Sequence, residues 1–174
     1  TAVGKKQEEL LQRIAELEAG LIGVETLKQK AISMAQQTKM GYVYVISNIG
    51  AFGDDVYKIG MTRRLEPTER VKELGDASVP FPFDIHAMIF SENAPELESK
   101  LHNVFANERV NMTNYRREFF NVSLDRIEEE AKKLGAKVEF TKLAEAEEYR
   151  ESQILKKQIN QQTTPNIKEF PDTI

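Results

Sequence analysis

The sequence predicts an α+β fold, a small three-stranded antiparallel sheet flanked by helices, with a coiled-coil-prone helix ahead of it and helices behind. Three observations carry that expectation. Residues 1–39 hold no proline and place apolar residues at helical spacing. At Gly41 the texture changes to short aromatic and β-branched runs bounded by turn residues. From Ser123 helical spacing returns, and after Gln161 the chain becomes polar around Pro165 and Pro171 and is expected to fray. The expected divisions are therefore a helical segment at 1–39, a central domain at 40–122 and a C-terminal helical extension at 123–174, within the length of one domain with appendages.

In the first segment Leu10, Ile14, Leu17, Leu21, Val24, Ala31 and Ala35 form a seam of coiled-coil spacing, interrupted by Lys28. Gly20 and Gly23 weaken it, by about 1 kcal/mol each against Ala. The seam suits either a partner helix, including a homodimer through residues 1–39, or a helix laid on the neighbouring domain. After Gly41, YVYVI favours a strand; Asn48–Asp55 reads as a turn, and Val56–Ile59 completes a hairpin. Pro67–Leu74 predicts a helix with Thr68 as its cap and Val71 and Leu74 on one face. VPFPFD is a proline-broken loop, and Ile85–Phe90 is a third strand. Ala94–Asn107 predicts a helix opened by Pro95 and buried along Leu97, Leu101, Val104 and Phe105. Phe119–Val122 is a short strand or an extended segment. A further helix starts at Ser123 and ends at Gly135, Lys137–Phe140 suits a short strand, and Thr141 caps a last helix reaching about Asn160.

Composition removes several classes of function. No apolar run approaches the ~18 residues of a membrane span. The chain has no cysteine, which excludes disulfides, thiolate zinc sites and cysteine nucleophiles and fits a reducing, cytoplasmic compartment. Two histidines, His86 and His102, are too few for a histidine-rich metal site. With 24 basic against 28 acidic side chains and a net charge of −4, a broad polycationic surface is excluded, so contact with nucleic acid has to be local. The chain opens on Thr1 with no signal-peptide pattern and is read as a fragment or processed piece of a parent that could be anchored elsewhere.

The run Gly41-Tyr42-Val43-Tyr44-Val45-Ile46-Ser47-Asn48, followed by Tyr57-Lys58-Ile59-Gly60-Met61-Thr62, resembles the paired hairpin motif of the GIY-YIG endonucleases. Val43-Tyr44 stands in the place of the family's Ile-Tyr, and Lys58-Ile59-Gly60 in the place of Tyr-Ile-Gly. Arg70 in ERVKEL, Glu98 in ELESKLH and Asn121 behind REFF follow in family order across residues 40–122. The KIG form is similar to the branch typified by a phage T5 protein and a meiotically up-regulated yeast protein. That branch also occurs at the C-terminal end of helical bacterial proteins, some linked to phage defence.

The resemblance implies a metal-dependent endonuclease acting on DNA. Glu98 would hold a Mg²⁺ or Mn²⁺ ion, leaving the remaining positions to water and phosphate. Tyr44 would activate or orient the attacking water, which is hard for a phenol of pKa near 10 unless a cation lowers it. Lys58, on the neighbouring strand, is the candidate cation. Arg70 offers a fork of donors to a phosphate oxygen. Lys58 is a departure from the family's Tyr: either its amine steers phosphate or tunes Tyr44, or the position has lost part of its catalytic role. Tyr57 faces the other side of the strand and does not replace it. Leu74 stands where some relatives place His. His102, one turn after Glu98, is placed to hydrogen-bond Glu98 or to contact DNA, and Asn121 to anchor the backbone near the site.

Arg63, Arg64, Arg109, Arg116 and Arg117 flank the cluster as candidate DNA contacts. Residues 39–121 carry 10 basic and 12 acidic side chains, so affinity should be modest and steeply salt-dependent. No apparatus for reading base sequence is visible, and no small-molecule cofactor is expected. One rival reading keeps the fold as a catalytically reduced module that binds DNA or protein. Another makes residues 1–39 and 141–160 a helical scaffold with the central domain as a spacer.

Overall fold

The computed structural model describes residues 2–76 and 78–163; the tail expected to fray around Pro165 and Pro171 lies outside the described residues. The chain divides into two units, Thr1–Met40 and Gly41–Ile174. The first is a single helix, α1 (Ala2–Gln37). Leu10, Leu17, Leu21, Val24 and Leu27 along it are each more than half exposed. No described helix is long and apolar enough to cross a membrane.

The second unit runs β1 (Gly41–Ser47), α2 (Ile49–Phe52), β2 (Val56–Thr62), α3 (Pro67–Asp76), β3 (Asp84–Ser91), α4 (Ala94–Val104), β4 (Phe119–Asn121), α5 (Leu124–Lys133) and α6 (Glu147–Thr163). The strands form one sheet in the order β3-β1-β2-β4, with every neighbouring pair antiparallel. The fold is thus α+β as expected, but with four strands rather than three. The fourth is three residues long, and Phe119, Phe120 and Asn121 pair with Lys58, Tyr57 and Val56. The sequence marks Phe119–Val122 as a short strand or extended segment, but its place as a fourth strand depends on pairing with β2, far back in the chain.

Local chemistry accounts for other departures. The turn after β1 contains α2, capped by Asn48, whose side chain accepts from the Ala51 N–H at 3.2 Å. The helix α3 starts at Pro67, which needs no partner for an N–H it lacks, so Thr68 lies inside the first turn instead of capping it. Residues 137–140 form no strand, and Thr141 is not a cap. Instead its N–H bonds the His86 carbonyl at 2.8 Å. The His86 Nδ1–H donates to the Thr141 carbonyl at 2.6 Å, which leaves Nε2 to accept from the Ser47 hydroxyl at 2.8 Å. This docking delays α6 to Glu147, after Ala146 at φ +43°, whose N–H bonds the Asp84 carboxylate.

Alternation along β1 divides the interior. Val43 and Val45 join Ile59, Ala87 and Ile89 in the larger core, closed by Leu97, Leu101 and Phe105 around α4 and by Ile127 and Ala131 of α5. Burying each large apolar side chain contributes about 1.5–3 kcal/mol, so α4 is firmly seated. Tyr44 and Ile46 face the opposite way, toward Val71 and Leu74 of α3.

Candidate active site

Tyr44 on β1 pairs across the ladder with Gly60 on β2. The pairing is tight: a Cβ on Gly60 would stand 2.5 Å from the Tyr44 hydroxyl and 2.7 Å from its ring carbon Cζ. The glycine is therefore the space in which the phenol lies, and the ring is only 3% exposed. Lys58 precedes Gly60 by two residues and points to the same face. Arg70 comes from α3 and donates a hydrogen bond to the Tyr44 hydroxyl. Tyr44, Lys58, Arg70 and Glu98 all line one cavity of about 950 Å³, together with Glu118.

Glu98 and His102 reach β2 for a geometric reason. β4 pairs only with residues Val56, Tyr57 and Lys58, so the outer edge of β2 beyond them would present bare backbone groups. The Ile59 N–H goes to the Glu118 carbonyl at 3.2 Å. The Ile59 carbonyl accepts from His102 Nε2 at 2.8 Å, and the Met61 N–H donates to Glu98. Four helical residues, about 6 Å, nearly match two strand residues, about 6.7 Å, so side chains at i and i+4 meet alternate backbone groups. His102 is thus bonded to the strand and not to Glu98. Burial holds its imidazole below the ordinary value; with Nε2–H given to Ile59, the lone pair of the neutral ring is at Nδ1.

Electrostatics revises the expected pairing of charges. Burial pushes the Tyr44 phenol up to about 12; the Arg70 charge and hydrogen bond oppose this, and Glu118 and Glu98 add to it. The cation at Tyr44 is therefore Arg70. Lys58 forms an ion pair with Glu118 at 2.8 Å, its ammonium 5.5 Å from the centre of the Phe119 ring. Burial, with the Glu118 charge second, raises Glu98 to about 7, and Lys58 and the Met61 N–H pull it only part of the way back. Arg70 also approaches Glu73 at 3.4 Å.

Glu98, His102 and Glu118 each offer one ligand atom, all within 4.8 Å of one another. Two carboxylates and an imidazole are a donor set that divalent cations accept, the carboxylates suiting Mg²⁺ and Mn²⁺. The mutual repulsion of Glu98 and Glu118 is what such a cation would relieve. Glu118 is a site residue beyond those expected from the sequence motifs. Its signal was present in REFF, immediately before Phe119, the residue that pairs with Lys58.

The arginines separate. Arg116 and Arg117 line the cavity, and neither enters an ion pair among the described residues. Arg63 and Arg64 do not line it, and Arg64 is paired with Glu73. Arg109 lies over the rings of Tyr115 and Phe120, 5.0 Å from each centre. Asn121 is exposed on β4 opposite Val56 and does not line the cavity. The lining thus carries Lys58, Arg70, Arg116 and Arg117 against Glu98 and Glu118, a local cationic excess inside a domain with no cationic excess of its own.

A family model described as the T5orf172 domain matches residues 41–135, just over half of the chain and all of the cavity's lining. No curated protein and no solved structure matches the chain.

Proposed function

The chain belongs to the T5orf172 domain family, which is associated with GIY-YIG and HNH-like nuclease domains, and from that premise we propose that it is a GIY-YIG-type, metal-dependent endonuclease cutting DNA with little sequence preference. At the coarser level the family makes it a nuclease-like or DNA-binding module. The observation that supports the finer reading is the meeting of Tyr44, Lys58, Arg70 and Glu98 around one cavity.

Hydrolysis of a phosphodiester needs a placed water, cations on the phosphate oxygens and a stabiliser for the developing charge. Arg70 and Lys58 provide the cations. Tyr44, held neutral by a pKa near 12, positions the water through its hydroxyl instead of deprotonating it as a phenolate. Glu98, near 7, is the carboxylate whose charge changes within the working range. Glu98 and Glu118, with His102 beside them, would hold a Mg²⁺ or Mn²⁺ ion, which when bound supplies Lewis acidity and lowers the pKa of a ligated water.

Nicking of supercoiled plasmid in Mg²⁺ or Mn²⁺ tests this, with Glu98→Ala and Lys58→Tyr alongside. Glu98→Ala should lose about 100-fold or more in rate; wild type that nicks no faster than this variant defeats the enzyme reading. One observation favours the binding-module alternative: Lys58 is tied to Glu118. That alternative calls for metal-independent, salt-sensitive retention of DNA without nicking. Self-association through α1 belongs to the proposal because one site cuts one strand at a time. A cytoplasmic setting goes with the lack of cysteine, and a part in phage defence rests on the family resemblance alone.

A further inference from the structure

Beyond the catalytic residues the cavity continues into an aromatic end. Phe52 of α2 and Phe119 of β4 lie 4.8 Å apart between ring centres, and Phe83, just before β3, is 6.3 Å from Phe52 and 6.5 Å from Phe119. Phe52 and Phe119 belong to neither buried core, and Phe52 remains 40% exposed. All three rings line the same cavity as Lys58 and Arg70. The Lys58 ammonium stands 5.5 Å from the Phe119 centre, so a phosphate on Lys58 brings the adjoining nucleotide within reach of these rings. Apolar faces next to cations that hold a strand's phosphates match the chemistry of a nucleotide, charged along its backbone and aromatic at its base.

We propose that the pocket formed by Phe52, Phe83 and Phe119 receives an unpaired nucleobase of the DNA strand whose phosphate lies at Arg70 and Lys58, so that the domain acts on single-stranded, flapped or gapped DNA in preference to intact duplex. This rests on the nuclease reading and deepens it by naming the substrate class. A paired base in a duplex is stacked on both sides and must be unpaired and extruded before it can stack on Phe52. A base that is already unpaired avoids that step. Stacking on an aromatic face tolerates any base, which agrees with a site that carries no means of reading sequence.

The test uses the 174-residue chain and two readouts. The first is Mn²⁺-dependent cleavage of one labelled oligonucleotide presented as a single strand, as a flap and as perfect duplex. The expected result is cutting of the single strand and flap about tenfold or more faster than the duplex, with the ratio falling toward one in Phe52→Ala and recovering in Phe52→Trp. Equal rates on all three forms, with a ratio indifferent to both substitutions, overturn the base pocket and leave the nuclease reading standing. If no form is cut, the nuclease reading fails, and the second readout decides the pocket by itself. That readout is the fluorescence of a 2-aminopurine base in a single strand, measured with Glu98→Gln protein in chelator. Quenching that Phe52→Ala abolishes and Phe52→Trp restores supports the pocket, whereas no quenching, or quenching unchanged in Phe52→Ala, overturns it.

Discussion

Gly60 and Tyr44 act as one unit. The ring of Tyr44 fills the volume that any Cβ at position 60 would claim, with contacts of 2.5–2.9 Å to its hydroxyl and ring carbons. In Gly60→Ala the buried phenol is displaced from Arg70, so activity should fall about as far as in Tyr44→Phe. Gly60→Ala should also lose about 1–3 kcal/mol of stability from overpacking, whereas Tyr44→Phe keeps the ring and its packing. Chemical denaturation beside nicking rates separates the two, and an alanine variant of full activity would show that the phenol is not held by this gap. Glu98 yields a prediction in pH. Its pKa is raised from 4.5 to about 7 in the folded chain, so the folded state binds the proton more tightly than the unfolded one. The site's contribution is therefore most favourable below about pH 4.5 and is lost as pH rises toward 7. Glu98→Gln, in chelator, should match wild type near pH 5 and exceed it at pH 8 by about 1–2 kcal/mol, after allowance for solvent screening of a half-buried group. Activity should run the opposite way, rising through pH 7 in wild type as the carboxylate becomes free to hold a cation. Thermal unfolding at the two pH values checks the first part, and a Glu98→Gln variant less stable than wild type at pH 8 would contradict it.

At the scale of elements, α4 completes the edge of β2 with side chains where β4 ends. Deleting the imidazole in His102→Ala leaves the Ile59 carbonyl unpaired in a part-buried place, a cost of about 1–3 kcal/mol. Amide exchange at Ile59 and Met61 should quicken more than in the interior of β1; unchanged exchange would mean that the edge is closed without the helix. Because burial holds the His102 pKa below its ordinary value, its neutral form favours folding, and that contribution is lost as pH falls below about 6.5 through the folded value. Some of this arrangement was legible in the sequence. The hairpin showed in β-branched and aromatic runs around a glycine-rich turn, and α4 in the spacing of Leu97 and Leu101, because periodicity records which face is buried. The i, i+4 relation of Glu98 and His102 was visible too, but its meaning was not, since the spacing suits a bond between the two as well as bonds to a strand. What stayed hidden depends on contacts between distant segments: the pairing of Phe119–Asn121 with β2 as a fourth strand, the capture of Lys58 by Glu118, and the docking of Thr141 on His86. Arg70 as the partner of Tyr44 belongs with these, because α3 crosses the face of β1 only in three dimensions.

For the whole molecule, cutting both strands of a duplex would depend on α1 and on how many copies of the site meet the DNA. The helix carries five basic residues (Lys5, Lys6, Arg13, Lys28, Lys30) and five acidic ones (Glu8, Glu9, Glu16, Glu18, Glu25), so it does not repel a second copy by net charge. Its apolar stripe is exposed along much of its length. In a parallel pair aligned on the Leu10–Val24 seam, Arg13 of one helix falls opposite Glu18 of the other, a favourable flanking contact. The two strands of duplex DNA are antiparallel, so cutting both in one encounter calls for two sites related by a two-fold axis, the commonest symmetry of a dimer. The core and every residue lining the cavity lie from Gly41 onward, so a chain starting there keeps the site. The expected outcome of removing residues 1–39 is a fall in sedimentation mass from about twice the 19.9 kDa chain mass to a single shortened chain. The per-site nicking rate should persist, while linear plasmid forms only after nicks accumulate and no longer appears early. A 174-residue chain that sediments as a monomer, or a shortened chain that still yields early linear product, would remove α1 from the cutting of both strands and leave it some other use for its exposed leucines.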